Sequence, residues 1–179
     1  MTKKAFFLDR DGVINVDYGY VYKREDFQFV DGIFELCRQA ISNGYLIFVI
    51  TNQSGIGRGR YSVSDFDWLT KWMCKEFLAQ NVLISKVYYS PFHPTHGLGE
   101  YKKNDESRKP RAGMIYQAAN EFCIDLKESV LIGDRSSDIQ AGINAGVGTN
   151  ILFGNNQISK DLELAYHSIT SLSEAKYFL

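Results

Sequence analysis

Two aspartates separated by one residue, Asp9 and Asp11, follow directly on a short apolar run, Ala5-Phe6-Phe7-Leu8. The run reads as a strand buried on both faces, of the kind found in parallel sheets. Alternate residues of an extended chain point to one side. The two carboxylates therefore converge at the strand's carboxyl end, the edge at which open α/β sheets bind ligands. Gly12 permits a backbone turn that other residues resist. Carboxylates this close repel unless a cation lies between them or one stays protonated. Two readings remain at this point: a solvated Asp-x-Asp turn, or a hard divalent-cation site with one aspartate free to act as nucleophile.

Three further groups of reactive residues recur behind apolar runs. Thr51-Asn52-Gln53-Ser54 follows Tyr45–Ile50 and leads into Gly55-Ile56-Gly57-Arg58-Gly59. A hydroxyl and an amide ahead of a glycine-rich turn suit a phosphate cradle. The spacing is Gly-x-Gly-x-Gly, which is not the dinucleotide fingerprint. Arg108-Lys109-Pro110-Arg111 ends a long irregular stretch after Val87-Tyr88-Tyr89. With Pro110 at the start of a helix, these cations oppose the helix dipole unless an anion binds there; the alternative is a solvated basic turn. Gly133-Asp134-Arg135-Ser136-Ser137-Asp138 closes the run Ser129–Ile132. A polar, aromatic loop, Asp17-Tyr18-Gly19-Tyr20, hangs over the first aspartates, either contacting a polyhydroxylated ligand or packing on the body.

The elements that must position these groups alternate along the chain. Asp31 is expected to cap a helix carrying Ile33, Phe34, Leu36, Cys37 and Ala40. Ser62 or Ser64 starts a second, with a core stripe of Phe66, Leu69, Trp72, Met73 and Phe77. A third runs through Met114, Ile115, Ala118, Ala119 and Phe122, and a fourth ends near Gly146. Thr149–Phe153 reads as a fifth strand. The tail reads as a short helix around Leu162–Leu164, a strand fragment near Ile169 and a terminal helix over Leu172–Tyr177. Such alternation predicts an α/β fold with a doubly wound, mostly parallel sheet. All four reactive groups then lie on one edge of it, in one pocket.

The chain has 179 residues, 45% hydrophobic and 23% charged, with net charge −1. This length predicts a single domain, residues 1–179, with a substantial core. The charge gives no field favouring nucleic acid or a membrane, and no apolar run reaches bilayer length. Met1-Thr2-Lys3-Lys4 carries no signal-peptide pattern. Cys37, Cys74 and Cys123 have no metal or disulfide spacing, which predicts buried thiols in a reducing cytoplasm.

Asp9-x-Asp11-Gly-Val-Ile-Asn, Thr51-Asn52-Gln-Ser, Arg108-Lys109-Pro and Gly133-Asp134-x-x-x-Asp138, in this order, resemble the four motifs of the haloacid dehalogenase-like (HAD) phosphatases. The resemblance runs from about Lys4 to Phe153. More narrowly it is to the branch of the D-glycero-D-manno-heptose 1,7-bisphosphate 7-phosphatases, which shares its pattern with histidinol-phosphate phosphatases. The resemblance implies a Rossmann-like HAD fold, and the chain has no insertion large enough for a cap domain. It implies an Mg²⁺-dependent phosphatase acting on a small sugar phosphate in heptose and surface-polysaccharide synthesis, as a cytoplasmic monomer. Histidinol phosphate is the alternative substrate, and a non-catalytic phosphate-binding module the remote one.

By the same resemblance, Asp9 is the nucleophile that forms an aspartyl-phosphate, and Asp11 is the general acid and then base. Asp9 and Asp134 by side chain and Asp11 by carbonyl hold Mg²⁺, with Asp138 supporting the loop. Thr51 and Lys109 clamp the phosphoryl oxygens. Asn52 orients Asp11 or a phosphate oxygen. Asp17, Tyr18, Gly19, Tyr20, Gln53 and Ser54 contact the sugar, while Arg108 and Arg135 reach a second phosphate. The family's zinc loop has its ligand positions at Ser90, Phe92, Asp105 and Ser107 here. None supplies a thiolate or imidazole, so zinc is not expected.

Overall fold

The computed structural model describes residues 2–155 and 165–179. Six strands form one open sheet: β1 (Lys4–Leu8), β2 (Tyr45–Asn52), β3 (Ile84–Ser90), β4 (Val130–Gly133), β5 (Thr149–Phe153) and β6 (His167–Ile169). Their order is β3-β2-β1-β4-β5-β6, and every pairing is parallel. The strands alternate strictly in what they bury. Phe6 and Leu8 of β1 pack with Ile47, Val49, Val130 and Ile132 on one face. Ala5 and Phe7 pack with Phe48, Ile50 and Leu131 on the other. Both faces are covered, which is why these strands read as continuous apolar runs.

Helices α1 (Ile33–Ser42) and α3 (Val63–Ala79) and a C-terminal 3-10 helix (Leu172–Phe178) cover the first face, through residues such as Ile33, Leu36, Leu69, Met73, Phe77 and Leu172. Helices α4 (Gly113–Phe122) and α5 (Ser136–Ala145) cover the second, through Met114, Ile115, Ala118, Ala141 and Ala145. A short α2 (Ser54–Gly57) follows β2 directly. The chain steps outward from β1 to β3 and then returns to β4 on the other side of β1. The carboxyl ends of β1 and β4 therefore bound the topological switch point, where a crevice opens.

The register sets these ends level. Leu8 lies opposite both Val49 and Ile132, and the Asp9 amide donates to the Ile132 carbonyl at 3.0 Å. Asp9, one residue beyond this level, and Thr51 and Asp134, two beyond, emerge on one rim.

Several local expectations are corrected. Asp31 does not cap α1: the cap position belongs to Gly32 (φ 83°), and no side chain bonds the helix start. Ser62 is the start of α3, its hydroxyl accepting the Asp65 amide while the Asp65 carboxylate accepts the Ser62 amide. Pro110 does not open a helix. It follows a cis bond from Lys109, and α4 begins only at Gly113. Arg108 and Lys109 thus stand clear of a helix terminus, and the dipole argument does not apply to them. Cys37 is buried, but Cys74 is half-buried and Cys123 exposed. Cys123 sits in the left-handed residue that ends α4, a position on the helix rim rather than its core face. The expected helix around Leu162–Leu164 lies outside the described residues. The tail strand and the terminal helix are present, the latter in 3-10 form with Ser171 and Glu174 capping its start.

Candidate active site

A cleft of about 610 Å³ opens at the carboxyl edge of the sheet. Asp9, Asp11, Thr51, Asn52, Lys109, Arg135 and Asp138 all line it, so the four separate sequence groups do meet.

Its floor is a lysine among acids. Lys109 Nζ donates to Asp9 Oδ1 (2.8 Å) and the Ile50 carbonyl (2.8 Å) and pairs with Asp138 Oδ1 (2.6 Å). Its three hydrogens have three acceptors, and it is buried with both acids. Burial works against the ammonium, but the Asp138 and Asp9 carboxylates outweigh it and hold Lys109 above its ordinary range. Burial pushes Asp9 up to about 8; Lys109 opposes this, and the Asp138 and Asp134 carboxylates add to it. Asp134 is pushed up to about 6, by burial and then by Asp138. One oxygen each of Asp9, Asp134 and Asp138 falls within 4.8 Å of the others. Three acids against one buried ammonium leave negative charge in excess. An all-oxygen donor set of this kind fits a hard divalent cation.

Backbone geometry makes that cluster possible. Gly12 (φ +96°) lies against the Asp134 carboxylate, and a Cβ there would stand 2.3 Å from Asp134 Oδ2. Asp138 is fixed at the first turn of α5, where its Oδ2 accepts the Arg135 amide at 3.0 Å. It supports the loop, and its other oxygen bonds Lys109.

Asp11 is held separately from the acid cluster. Arg10 donates to both its oxygens (2.8 and 3.2 Å), Asn15 to Oδ1 (3.1 Å) and Gln53 to Oδ2 (2.9 Å). Arg10 is itself fully buried and anchored on the Val21 carbonyl at 2.7 Å.

The structure reassigns two amides. Asn52 does not touch Asp11. Its side chain brackets the Lys109 backbone, donating to the Lys109 carbonyl and accepting from its amide, both at 3.0 Å. Gln53 lines the cleft but is almost wholly buried, and its side-chain amide holds Asp11 and the Thr51 hydroxyl. The reason is the turn into α2, where the Gln53 amide bonds the Ser90 carbonyl and folds the side chain under the rim.

In the overhanging loop, Asp17, Gly19 and Tyr20 line the cleft with Ser54. Tyr18 does not: it is exposed and its hydroxyl donates to Gln28, on the outer side of the loop. Asp17 accepts the Gly19 amide at 2.9 Å and pairs with Arg135 at 2.6 Å, and Arg135 Nε stands 3.8 Å from Asp134. Arg135, which also lines the cleft, is thus paired with acids. Basic residues line the cleft as well. Arg108, fixed on the Phe92 carbonyl at 3.0 Å, lines the cleft with Arg58 and His93. Burial and then Arg58 lower Arg108 from its ordinary value; burial and then Arg108 and Arg58 lower His93.

Arg10, Arg58, Tyr61, His93 and Ser137 are site residues that the sequence reading missed. Arg10 occupied the unremarked position between two aspartates. Tyr61 had a signal in Gly55, since a Cβ there would strike the Tyr61 ring at 2.2 Å.

Of the four zinc-ligand positions, three form a hydrogen-bonded group. Ser107 Oγ donates to Asp105 Oδ1 (2.6 Å) and lies 3.0 Å from Ser90 Oγ, while Asp105 pairs with Lys103 at 3.0 Å. Phe92 lies tilted against Tyr101, ring centroids 5.9 Å apart.

Comparison with known proteins agrees with this geometry. A family model for HAD-hydrolase-like proteins matches residues 106–171. A D-glycero-alpha-D-manno-heptose-1,7-bisphosphate 7-phosphatase of Burkholderia mallei is 52% identical over 160 residues, 89% of this chain and 85% of its own. A Campylobacter jejuni protein of the same name is 53% identical over 85% of this chain and 83% of its own. In Vibrio cholerae the relative named for the beta anomer is 48% identical, over 85% and 82%. A Mesorhizobium loti crystal structure described as a HAD-like phosphatase superposes with TM-score 0.87 at 27% identity, covering 98% of this chain and 85% of that one. The B. bronchiseptica D,D-heptose 1,7-bisphosphate phosphatase, crystallised with magnesium and phosphate, shares the fold with TM-score 0.82 at 22% identity, over 98% and 97%. With half its residues identical across nearly the full length of such relatives, and with the HAD sheet and its rim of acids in place, this chain belongs to the heptose-1,7-bisphosphate 7-phosphatase family of HAD-like phosphatases.

Proposed function

We propose that this chain is a Mg²⁺-dependent phosphatase that removes the 7-phosphate of D-glycero-D-manno-heptose 1,7-bisphosphate, a step toward nucleotide-activated heptose for surface polysaccharide. The observation that carries the reading is the Asp9–Asp134–Asp138 cluster around the buried Lys109, in a cleft that Arg58, His93 and Arg108 also line. Bound Mg²⁺, held by Asp9 and Asp134 with the Asp11 carbonyl, would supply positive charge that offsets repulsion between carboxylate and phosphate.

The chain's own residues do the rest. Lys109 holds Asp9 Oδ1, so Asp9 Oδ2 is the oxygen that attacks phosphorus. The O–P bond to aspartate forms as the bond to the sugar oxygen breaks, and Asp11, entering the step protonated, gives its proton to the departing alkoxide. Asp11 then takes a proton from the water that cleaves the aspartyl-phosphate, restoring Asp9 and releasing inorganic phosphate. The Thr51 hydroxyl steadies an equatorial oxygen, and the Lys109 ammonium, bonded to Asp9 and Asp138, offsets negative charge at the phosphoryl group through space, while Asn52 keeps Lys109 in register through its backbone. Asp17, Gly19, Tyr20 and Ser54 meet the sugar hydroxyls. Arg108, with Arg58 and His93 beside it, receives the second phosphate. Arg135 serves by fixing Asp17 and flanking Asp134.

The protein works as a single-domain monomer without zinc. Two serines, an aspartate and a phenylalanine are a poor tetrahedral donor set, and the Ser90–Ser107–Asp105 bonds hold the loop in its place. The decisive experiment compares kcat/KM on both anomers of the bisphosphate, the corresponding monophosphate and histidinol phosphate, with and without Mg²⁺. Preference for the bisphosphate and loss of turnover in Asp9→Asn are expected. Preference for histidinol phosphate would reject the substrate, and full turnover by Asp9→Asn would reject the mechanism.

A further inference from the structure

One buried amide is wired to two of the groups that meet the phosphoryl. Gln53 is 1% exposed, and every polar atom of its side chain is used. Nε2 donates one hydrogen to Asp11 Oδ2 at 2.9 Å and the other to Thr51 Oγ1 at 2.8 Å. Oε1 accepts the Tyr61 hydroxyl at 2.5 Å. A primary amide carries its donors at one end and its acceptor at the other. Turned over, this one would set a carbonyl against the Asp11 carboxylate, and two acceptors in a dry site repel.

Tyr61 holds the opposite end of the amide in place. Its ring stacks on Tyr22 at 5.2 Å with 10° between planes. It also lies against the Gly55 backbone, where any Cβ would collide with it. Burial holds its phenol above the ordinary value, so it keeps the hydrogen that it donates. Thr51 gains from the same arrangement. With Oγ1 accepting from Gln53, its own hydrogen is left to point elsewhere, and Thr51 lines the cleft.

We propose that Tyr61 is a positioning residue: its hydroxyl anchors the carbonyl end of the Gln53 amide and thereby holds the donor end on Asp11, aiming that group at the leaving oxygen. The inference rests on the role proposed above for Asp11. In Tyr61→Phe, Oε1 is left buried without a donor, and the amide loses the bond that fixes its position against Asp11.

The test uses two phosphate esters, the heptose bisphosphate and p-nitrophenyl phosphate. An alkoxide needs a proton to leave, whereas p-nitrophenolate does not. In Tyr61→Phe, kcat on the sugar ester should fall roughly tenfold with KM nearly unchanged, and the aryl ester should lose about threefold or less. Gln53→Met, which keeps the tyrosine ring, should show the same selectivity, and adding Tyr61→Phe to it should cost nothing more. Equal losses on the two esters, no loss, or additive losses in the double variant would overturn the lock. If the wild-type protein hydrolyses neither ester, the phosphatase reading itself fails and the lock falls with it.

Discussion

At Asp9, burial and two neighbouring carboxylates push in the same direction, and one lysine cannot offset them. Its carboxyl stands up at about 8 and that of Asp134 at about 6, against an ordinary value of about 3.9. Between these limits the folded chain holds protons that the unfolded chain has released. Stability from these groups is complete below about pH 4 and is lost as the pH rises through 6 and then 8. A cation binds the charged forms and competes with those protons, so it gains as pH rises. Mg²⁺ should therefore raise Tm more at pH 8 than at pH 5.5, by about 2–4 °C for each kcal/mol of added binding. Asp134→Asn should lose most of the increment. Thermal denaturation at the two pH values checks this, and an increment independent of pH would contradict it.

Elements matter here through their ends. The strand carbonyls stop level, and the segment just beyond each strand is held by a backbone device rather than by a rigid side chain. Gly12 is the clearest: its left-handed φ and its closeness to Asp134 both exclude a side chain. Gly12→Ala should destabilise the fold by about 1–2 kcal/mol through the backbone term. It should also weaken Mg²⁺ binding by displacing the Asp134 carboxylate, measured by calorimetric titration. Unaltered affinity would mean that Asp134 does not hold the ion. Asn52 is the device for the next rim segment, since its two bonds tie β2 to the peptide of Lys109.

At the scale of the whole molecule, a long loop has to keep its place over the cleft. The segment from Pro91 to Ser107 is tied at its base by Ser90, Ser107 and Asp105, and covered by Phe92 against Tyr101 and Lys103. After chelation of all metals, Mg²⁺ alone should restore full activity, and elemental analysis should find no stoichiometric zinc. Ser107→Ala removes two side-chain bonds at that base and should raise KM for the bisphosphate several-fold, by the roughly 1 kcal/mol expected per bond. A bound zinc in one-to-one ratio would reject the hydrogen-bonded closure.

The strand pattern, the doubly wound sheet and the convergence of Asp9, Thr51, Lys109, Asp134 and Asp138 on one rim were legible in the order of residues. Buried parallel strands need continuous apolar runs, and a parallel sheet puts all its carboxyl ends on one edge. The termini of helices were less legible. Gly32 displaced Asp31 as a cap, and Pro110 turned out to precede α4 rather than begin it, because such choices depend on what the neighbouring backbone leaves room for. Side-chain direction was decided by tertiary structure alone. Tyr18 turned outward to Gln28, Asn52 bound a backbone 57 residues away, Gln53 went under the rim, and Arg135 was claimed by Asp17. No local spacing encodes the partners of Asn52, Asp11 and Arg135, since the folded sheet brings them within reach from 42 to 118 residues away.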